Sequence, residues 1–304
     1  MLAYHVSRVM AETTAGGAAE LYDVFSGASE MARLMRAFDW SATDFGPPQR
    51  WPPNLRIAVS LCLASRFPIL LWWGPRLSVL YNDAYIPFLG PAKHPRMLGR
   101  PGKECWSEIW HVIGPMLERV VRTGVATWSE DSEYYFARRL PLEEVYVTFT
   151  YGPILASDGS RVEGVFCPCF ETTERVVGAR RLETLRQFGM RSTHARTLQA
   201  ACEDAAAVLR RNPRDISFAA IYVGGQDEAR YAAGVLPGHG HCLPAYVSDA
   251  LDDAHSPWPL AQVLRAKEAT ELSDLEARGV HIAGGEWPEP TCQALVLPIQ
   301  AAQE

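Results

Sequence analysis

The stretch from Gly164 to Met190, GVFCPCFETTERVVGARRLETLRQFGM, joins two kinds of local structure without an intervening loop. Its first part, residues 165–170, alternates apolar and small side chains and predicts a half-buried strand. From Glu171 onward the period changes, because acidic residues come first, arginines follow, and apolar residues recur at helical spacing. The members of this apolar stripe are Val176, Val177, Leu182, Leu185 and Phe188. The sequence therefore predicts a strand that runs directly into a helix over residues 172–190.

This junction has two interpretations. A strand that continues into a rigid helix passes any displacement of the strand on to the helix, which is what a signalling protein requires. Thr172 or Thr173 is expected to cap the helix, with Glu174 in its first turn. The alternative is an ordinary connector between two domains.

The composition is that of a globular protein with about two domains. The chain has 304 residues, of which 48% are hydrophobic and 21% are charged. Its net charge of -6 gives no general attraction to nucleic acid or to an anionic membrane. We therefore expect neither of these as a partner.

Cysteine usage and hydropathy both favour the cytoplasm. The seven cysteines include no C-x-x-C pair, which is typical of reduced thiols rather than of a disulfide framework. The longest apolar run, residues 67–73, is far shorter than the about 20 residues that span a bilayer. The expected location is cytoplasmic.

The elements upstream of the junction follow a definite order. Two short strands come first, a block of small helices follows, and three strands complete the series. The expected strands are 69–73, 77–81, 127–136, 145–151 and 162–170, and the expected helices cover 83–89 and a stretch through Ile113, Met116, Leu117, Val120 and Val121. Asp158-Gly159 is a strong hairpin turn between the last two strands. This order predicts an antiparallel sheet with helices packed on one face, which is the α+β class.

A short amphipathic helix precedes this series. Its apolar residues are Met31, Leu34, Met35 and Phe38, and they follow Ser29, the expected cap. The apolar face must cover either the first domain or the same helix of a second subunit.

The order of two strands, helices and three strands resembles that of a PAS domain. Three motifs carry the resemblance: Asn82-Asp83-Ala84-Tyr85 where the first helix leaves the sheet, Gly99-Arg100-Pro101 before a later helix, and Glu171-Thr172-Thr173-Glu174-Arg175 after the last strand. The third is similar to the Asp-x-Thr motif at which PAS domains lead into a signalling helix, with Glu in place of Asp. Asn82 is expected to cap the helix that follows it.

Further motifs resemble the N-terminal sensory region of bacterial PAS and GAF sensor histidine kinases. They are Asp39-Trp-Ser-Ala-Thr, Gly46-Pro-Pro-x-x-Trp51-Pro, Arg66-Phe-Pro, Trp73-Gly-Pro, Leu80-Tyr-Asn-Asp-Ala-Tyr85 and Lys93-His-Pro. The resemblance implies an N-terminal segment 1–38, a PAS domain 39–171 with a five-stranded antiparallel sheet, and a signalling helix 172–190. It also implies signal coupling through Glu171, Thr172, Thr173, Glu174 and Arg175, a homodimer formed through helices, and a histidine kinase (EC 2.7.13.3) as the output.

Residues 191–304 resemble a GAF domain that is truncated at its C-terminal end. The expected elements are a helix over 192–210, strands over 218–223, 230–233 and 294–299, and a helix that opens at Ser256-Pro257. A GAF domain ordinarily continues through further strands and a closing helix. The pattern predicts a fragment, a truncated gene product, or a degenerate domain completed by a partner.

The sequence offers no catalytic site. It contains no Gly-rich phosphate loop, no His-Glu-x-x-His and no Gly-x-Ser-x-Gly. His194 follows the linker but lacks the acidic and Arg pattern of a phosphoacceptor helix. No catalytic residue is therefore expected within these 304 residues.

Two groups of residues are possible metal ligands. Cys167 and Cys169 point to one face of a strand, yet two thiols rarely hold zinc, so buried structural thiols are the preferred interpretation. His239, His241 and Cys242 lie in a Gly-flanked stretch that reads as a surface loop. No metal site is expected.

Cofactor candidates are equally weak. Cys105 lacks the Gly-Arg-Asn-Cys-Arg pattern of flavin-binding PAS relatives. His94 and His111 are the candidates for a haem ligand, but the first lies in a polar loop and the second beside an apolar helix. The cofactor therefore stays unknown.

Aromatic residues are unusually dense in the first domain. The candidate ligand-site residues are Trp72, Trp73, Tyr81, Tyr85, Trp106, Trp110, Trp128, Tyr146 and Phe149, joined by Asn82. Pockets for organic ligands are mostly apolar with a few polar groups, which favours a small-molecule site between the sheet and helices 83–124. The alternative is that these side chains simply fill the core.

The sequence as a whole predicts a sensory input module for a two-component signalling protein. Two alternatives stay open: a stand-alone interaction or adaptor protein, and a sensor for a phosphatase or a cyclic-dinucleotide enzyme.

Overall fold

The computed structural model describes residues 24–192, 195–224, 228–236, 243–248 and 256–299. They form two compact units, one ending at Glu174 and the other beginning at Arg175. None of the helices among these residues is both long and apolar enough to cross a bilayer. His194, His239, His241 and Cys242 lie outside the described residues, so the interpretations of them stay predictions.

The first unit contains five helices and five strands among its described residues. The helices are α1 (Glu30–Ala37), α2 (Pro53–Ala64), α3 (Ile86–Lys93), α4 (Gly102–Cys105) and α5 (Trp110–Thr123). The strands are β1 (Ile69–Trp73), β2 (Ser78–Tyr81), β3 (Thr127–Phe136), β4 (Glu143–Leu155) and β5 (Val162–Glu171). The five strands and helices α1, α3 and α5 lie close to where the sequence predicts them, whereas α4 falls where no helix was predicted.

The five strands form one antiparallel sheet in the order β2-β1-β5-β4-β3. The quoted strand is therefore central, since β5 pairs with β1 on one side and with β4 on the other. Leu70 of β1 lies opposite Cys167, and Phe149 of β4 lies opposite Cys169. The predicted five-stranded antiparallel sheet is confirmed.

Helices α3 to α5 and the sheet enclose the main core. The prediction of helices on one face needs a correction, because the other face of β1 and β2 is buried as well. Leu71 and Leu80, which lie opposite each other on that second face, are 1% and 0% exposed. Helix α2 packs against β1, β2 and β4. Strand β1 is consequently apolar on both faces, which explains its unbroken sequence Ile-Leu-Leu-Trp-Trp.

Asn82 and Asp83 make hydrogen bonds that differ from the predicted cap. The Asn82 side chain makes no cap bond to the helical turn after it. Its Oδ1 accepts from the backbone N–H of Ile69, and its Nδ2 donates to the carbonyls of Ser65 and Phe67. Asp83 instead caps α1, since its carboxylate accepts from the first two N–H groups of that helix.

The second unit begins within α6 (Thr173–Ser192), and α7 (Leu198–Leu209) follows. Strands β6 (Ala219–Gly224), β7 (Glu228–Val235) and β8 (Tyr246–Ser248) form one antiparallel sheet. Helix α8 (Leu260–Ala266) follows, and β9 (Thr270–Leu272) pairs with β10 (Ala294–Val296) in a separate two-stranded sheet.

Three boundaries in the second unit differ from the prediction. The helix expected over 192–210 is helical only from Leu198, where Thr197 caps it. Ser256-Pro257 does not open a helix, because the Ser256 hydroxyl bonds the N–H and carbonyl of Trp258 and α8 starts at Leu260. The last strand is also shorter, since β10 ends at Val296.

Candidate ligand-binding cavity

A buried cavity of about 50 Å³ lies between the sheet and helices α3 to α5. Its wall is aromatic and aliphatic, with two thiols. The lining residues are Leu70, Trp72, Tyr85, Phe88, Trp106, Ile109, Ile113, Tyr134, Phe136, Val147, Phe149, Tyr151, Cys167 and Cys169. The volume is several times the roughly 10–15 Å³ that one water molecule needs. The cavity therefore has room for more than one water molecule.

Strand alternation decides which residues reach this cavity. Leu70 and Trp72 point into it from β1, and their cross-strand partners in β5 include Cys167. Trp73, one residue further along, points to the opposite face of the sheet. Trp73 was expected at the ligand site and is thus not part of the wall, although it is buried.

Four of the predicted ligand-site residues come together at the cavity. Tyr85 and Trp106 approach from the helical side, and Phe149 approaches from β4. The Tyr85 and Trp106 rings meet edge to face with their centroids 6.3 Å apart. Trp72 lines it from β1.

The other predicted residues lie elsewhere. Tyr81 is buried, but its hydroxyl contacts His94 rather than the cavity. Trp110 packs against Trp72 from behind, and Tyr146 bonds Glu144 through its hydroxyl. The Asn82 side chain makes three hydrogen bonds with backbone groups.

Trp128 departs furthest from the prediction. It is 67% exposed and lies opposite Thr150, on the side of β4 that faces away from the cavity. Phe149 and Tyr151, the neighbours of Thr150, are the residues that line it. Because successive side chains of a strand point to opposite faces, the Trp128 indole lies on the solvent side of the sheet.

The tyrosines of the wall and Cys167 are held neutral. Burial raises the pKa of Tyr134 to about 12 and raises the pKa values of Tyr85 and Tyr151 further. Burial likewise raises the pKa of the Cys167 thiol, and its hydrogen bond with Cys169 acts in the same direction. These four groups thus carry no charge near neutral pH, and a charged ligand would lose its hydration beside them without compensation.

One cation lies close behind the wall. The Lys93 ammonium sits 4.3 Å from the centre of the Trp106 ring and donates to Glu108 Oε1 at 2.7 Å. Burial opposes ionisation of Glu108, but the hydrogen bonds from Lys93, from the backbone and from Ser107, together with the charge of Lys93, outweigh it, so the pKa of this carboxyl is lowered. Lys93 is only 8% exposed, so this ion pair and cation–π contact hold the Trp106 ring in place.

His94 forms a second polar chain beside it. Its Nδ1 lies 3.1 Å from the Tyr81 hydroxyl and its Nε2 lies 3.2 Å from Glu30 Oε1. Both ring nitrogens are thus engaged, which ties α1 to β2. The arrangement leaves neither nitrogen free for a haem iron.

The exit of β5 is held by Arg138, a residue that the sequence did not single out. Its guanidinium donates through two nitrogens to the carboxylate of Glu171, at 2.7 and 2.6 Å, and through Nε to Glu143 at 2.8 Å. The hydrogen bond from Arg138 lowers the pKa of Glu171. The Arg138 carbonyl also lies against Gly90, where φ is +65° and a Cβ would come within 2.7 Å of that oxygen. Arg138 therefore contacts both α3 and the exit strand.

The two threonines of the junction differ sharply. The Thr173 hydroxyl accepts from the backbone N–H of Tyr146 at 3.0 Å and donates to Glu171 at 2.9 Å. The Thr172 hydroxyl is buried without a hydrogen-bond partner, although its backbone N–H bonds the Tyr146 carbonyl. Glu174 and Arg175 are exposed at the start of α6. Glu171 and Thr173 thus contribute side-chain polar contacts that hold the junction.

The cavity does not match a flavin site or a haem site. Sites for organic ligands commonly measure about 300–1,000 Å³, well above this volume. Cys105 lies outside the wall, and burial raises the pKa of its thiol to about 12, so it is no reactive thiolate. His111 is exposed. Among the described residues no three His, Cys, Asp or Glu side chains are grouped as a metal site would require.

No protein-family model matches the chain, and no curated protein sequence does. Among solved structures it is similar to an RNA-binding light-oxygen-voltage receptor, with 19% identity, a TM-score of 0.32, and coverage of 51% of this chain and 43% of that one. It is also similar to a sensory box sensor histidine kinase from Vibrio cholerae, with 16% identity, a TM-score of 0.28, and coverage of 39% and 90%. A third is the PAS domain of Bordetella pertussis BvgS, with 18% identity, a TM-score of 0.32, and coverage of 44% and 96%. The chain thus spans less than half the length of the first of these proteins, and the identities and TM-scores are too low to assign it a function.

Proposed function

We propose that the chain is a sensory input module in which a PAS domain, residues 39–171, binds a small molecule and passes the signal through α6 to a GAF-like domain. The output is a histidine kinase of a two-component system that these residues do not include. The motifs in fixed order from Asp39 to Arg175 and the antiparallel sheet with its helical block support the PAS assignment.

One observation carries the sensory role. Strand β5 is a wall of the cavity through Cys167 and Cys169, and the same strand continues into α6 at Thr173. Only three residues separate the last thiol from the helix. A ligand that displaces β5 therefore acts directly on the start of α6.

A sensory role also requires a contact that can change between two states. Arg138 and Thr173 provide such a contact. The Arg138–Glu171 pair and the Thr173–Glu171 bond hold the exit of β5 against β3 and β4. Occupation of the cavity shifts the balance between a held and a released exit. The shift is limited by the difference in ligand affinity for the two states, about 1.4 kcal/mol per tenfold.

Helix α6 has a surface suited to a second copy of the chain. Leu182 and Leu185 are 67% and 65% exposed, and an added Cβ at Gly178 or Gly189 would touch nothing. These four positions follow one another at steps of four, three and four residues, as on the seam of a coiled coil. We propose that α6 forms a homodimer through this seam, so that a movement of β5 changes how the two helices pack.

The test uses the full chain and xenon, which binds apolar cavities. Amide hydrogen exchange of residues 173–192 is measured with and without xenon under pressure, while shifts in the NMR signals of Ile109 and Ile113 report occupancy. We expect occupancy to change exchange at the start of α6 by at least threefold. Occupancy of the cavity with no change in α6 would contradict the sensory role, and so would an absence of xenon binding.

A matched pair of variants sharpens this test. Thr173→Val removes a hydroxyl with two partners, and Thr172→Val removes a hydroxyl with none. The first is expected to abolish the response of α6 to xenon while xenon still binds, and the second is expected to retain it. Equal responses in both variants would exclude the Thr173 contact as the coupling element.

A second candidate function is a stand-alone interaction or adaptor protein, and β10 favours it. Leu295, Leu297 and Ile299 are 59%, 57% and 88% exposed at alternate positions, and among the described strands β10 pairs only with β9. Such an edge can accept another strand. Sedimentation of the wild type and of Leu295→Lys separates the two functions. An assembly formed through β10 is expected to dissociate on this substitution, whereas a dimer formed through α6 is expected to remain.

A further inference from the structure

Helix α2 is apolar on its exposed side as well as on its buried side. Its buried residues are Leu55, Ala58, Val59 and Cys62. Its exposed residues, none of them charged, are Pro53, Ile57, Ser60, Leu61 and Ala64. Ile57 and Leu61 are 61% and 59% exposed and lie one helical turn apart. A helix that is apolar all round is expected to be covered on every side, yet the part of the chain that the structure describes leaves one side of α2 open.

Two phenylalanines extend this open side beyond the end of the helix. Phe67 and Phe170 are 59% and 47% exposed, and their ring centroids lie 5.0 Å apart in an edge-to-face contact. Phe170 follows Cys169, which lines the cavity, so the Phe170 side chain points to the opposite face of the sheet, on which α2 packs. We call Ile57, Leu61, Phe67 and Phe170 the α2 face.

The α2 face has the size of an interaction site. A large apolar side chain carries about 150–250 Å² of surface, so four that are roughly half exposed leave on the order of 400 Å² open to water. Apolar patches of about 300–600 Å² are the largest on typical monomers and often have a function. Each partner contributes about 800 Å² to a standard interface, and the α2 face supplies roughly half of that area. The uncharged residues Pro53, Ser60 and Ala64 enlarge it further.

The composition of the α2 face favours a second copy of the chain as the molecule that covers it. Complementary charges select a partner of different sequence, and the α2 face carries no charge. A two-fold interface brings the same surface of each copy together, so an uncharged face meets its own copy without repulsion. The cores of homodimer interfaces are likewise apolar and poor in charged residues.

We infer that two copies of the chain pair through the α2 face, with their α2 helices antiparallel across a two-fold axis. The axis passes between Ile57 and Leu61, so that Ile57 of each copy packs against Leu61 of the other. The small side chains of Ser60 and Ala64 allow the two helices to approach closely. This interface belongs to the first unit, so it is separate from the proposed α6 seam and needs no ligand in the cavity.

The test measures the mass of the full chain by sedimentation in a background that blocks the α6 seam. Leu182→Lys and Leu185→Lys place like charges on that seam, so a dimer that remains uses another surface. We expect a dimer in this background, and adding Leu61→Lys is expected to raise its dissociation constant at least 50-fold. Leu140→Lys is the matched control, because Leu140 is 62% exposed in the same unit but lies outside the α2 face. It is expected to leave the constant within twofold.

A pair of complementary variants tests the two-fold axis itself. Ile57→Glu and Leu61→Lys, each in the same background, are expected to be monomeric alone, because burying an unpaired charge is costly. When the two variants are mixed, the axis places the introduced carboxylate against the introduced ammonium. The mixture is therefore expected to form a heterodimer at least tenfold more tightly than either variant pairs with itself.

A photo-crosslinking amino acid at position 57 identifies the surface that covers the α2 face. The expected product joins position 57 to the peptide that contains Leu61 of a second copy. Capture of another segment of the same chain, or of a surface of the second copy outside α2, would overturn the inference.

Three sedimentation results would also overturn it. They are a monomer in the background that blocks the α6 seam, a dimer that Leu61→Lys leaves intact, and a mixture of the complementary variants that stays monomeric. None of these results bears on the sensory role of the cavity, because that role is measured with xenon and hydrogen exchange.

Discussion

The two units of this chain bury their apolar residues in different ways. The first has one continuous core that joins the sheet to the helices on both of its faces. In the described part of the second, buried side chains form three small, separate clusters around Leu275, Cys202 and Ala261. Of the largest fully buried side chains, all but Leu275 lie in the first unit.

The two units therefore obtain their stability from different interactions. A continuous core removes large side chains from water together, and each contributes about 1.5–3 kcal/mol when fully buried. The second unit relies more on small residues such as Ala206, Ala233 and Ala261, which bury little area each. It compensates in part with ion pairs between α6 and the segments after it, such as Arg180 with Asp215 and Arg191 with Asp204. We therefore expect the first unit to be the more stable one.

The largest effect is expected from equal truncations in the two cores. Leu80 and Leu275 are both fully buried leucines, one in each unit. Leu80→Ala should lower the free energy of unfolding of the first unit by about 4 kcal/mol, and Leu275→Ala should lower that of the second by about 2 kcal/mol, because a small cluster collapses around the cavity more easily. Hydrogen exchange in increasing urea, resolved by peptide, measures each unit separately. Equal losses would contradict the contrast between one core and several.

Two buried asparagines give the next effect. Asn82 is 1% exposed and makes three hydrogen bonds to backbone groups, whereas Asn212 in the second unit is 6% exposed and its Oδ1 has no partner. Asn82→Ala is expected to cost about 3 kcal/mol, because the buried N–H of Ile69 and two partly buried carbonyls lose their partners. Asn212→Ala is expected to cost about 1 kcal/mol. The same exchange experiment checks both, and a larger loss at Asn212 would show that the small clusters depend on polar contacts more than the main core does.

Local patterns explain how much of this fold could be predicted. The order of strands and helices follows from periodicity and from turn residues, which are local, and β5 could be predicted to lead into α6 for the same reason. The sequence of β1 has no alternation, so it could not show that Trp72 points into the cavity and Trp73 away from it. Arg138 was missed because its partner Glu171 lies 33 residues further along the chain and is brought close only by the pairing of strands.

The stability of the second unit is expected to depend on pH, by about 1–2 kcal/mol, through the carboxylate of Asp215. Burial raises the pKa of Asp215, but hydrogen bonds from Arg180, Asn212 and Arg181 outweigh it and lower the pKa to about 2. An unfolded Asp titrates near 3.9, so this carboxylate stabilises the second unit fully above pH 4 and loses its contribution as the pH falls toward 2. Asp215→Asn should therefore destabilise the unit by about 1–2 kcal/mol at pH 7 and flatten its stability between pH 4 and 2.

The control for this prediction is Asp204, which pairs with Arg191 on a more exposed surface. Asp204→Asn is expected to change the stability by less than about 0.5 kcal/mol, since exposed ion pairs contribute little. Urea unfolding of the second unit at a series of pH values measures all three chains. A slope between pH 4 and 2 that persists in Asp215→Asn would place the titrating group elsewhere.

The smallest effect lies at the boundary between the units, where its sign matters more than its size. Thr173→Val removes a hydroxyl that accepts from Tyr146 and donates to Glu171, and it should destabilise the first unit by about 1 kcal/mol. Thr172→Val replaces a buried hydroxyl without a partner by a methyl group, so it should be neutral or stabilise by up to about 1 kcal/mol. Adjacent residues of the same type thus respond with opposite signs, and thermal unfolding of the two variants measures the difference. A loss of stability in Thr172→Val equal to that in Thr173→Val would mean that the Thr172 hydroxyl contributes as much as the Thr173 hydroxyl, and the contact from Thr173 to Glu171 would then not distinguish the two positions.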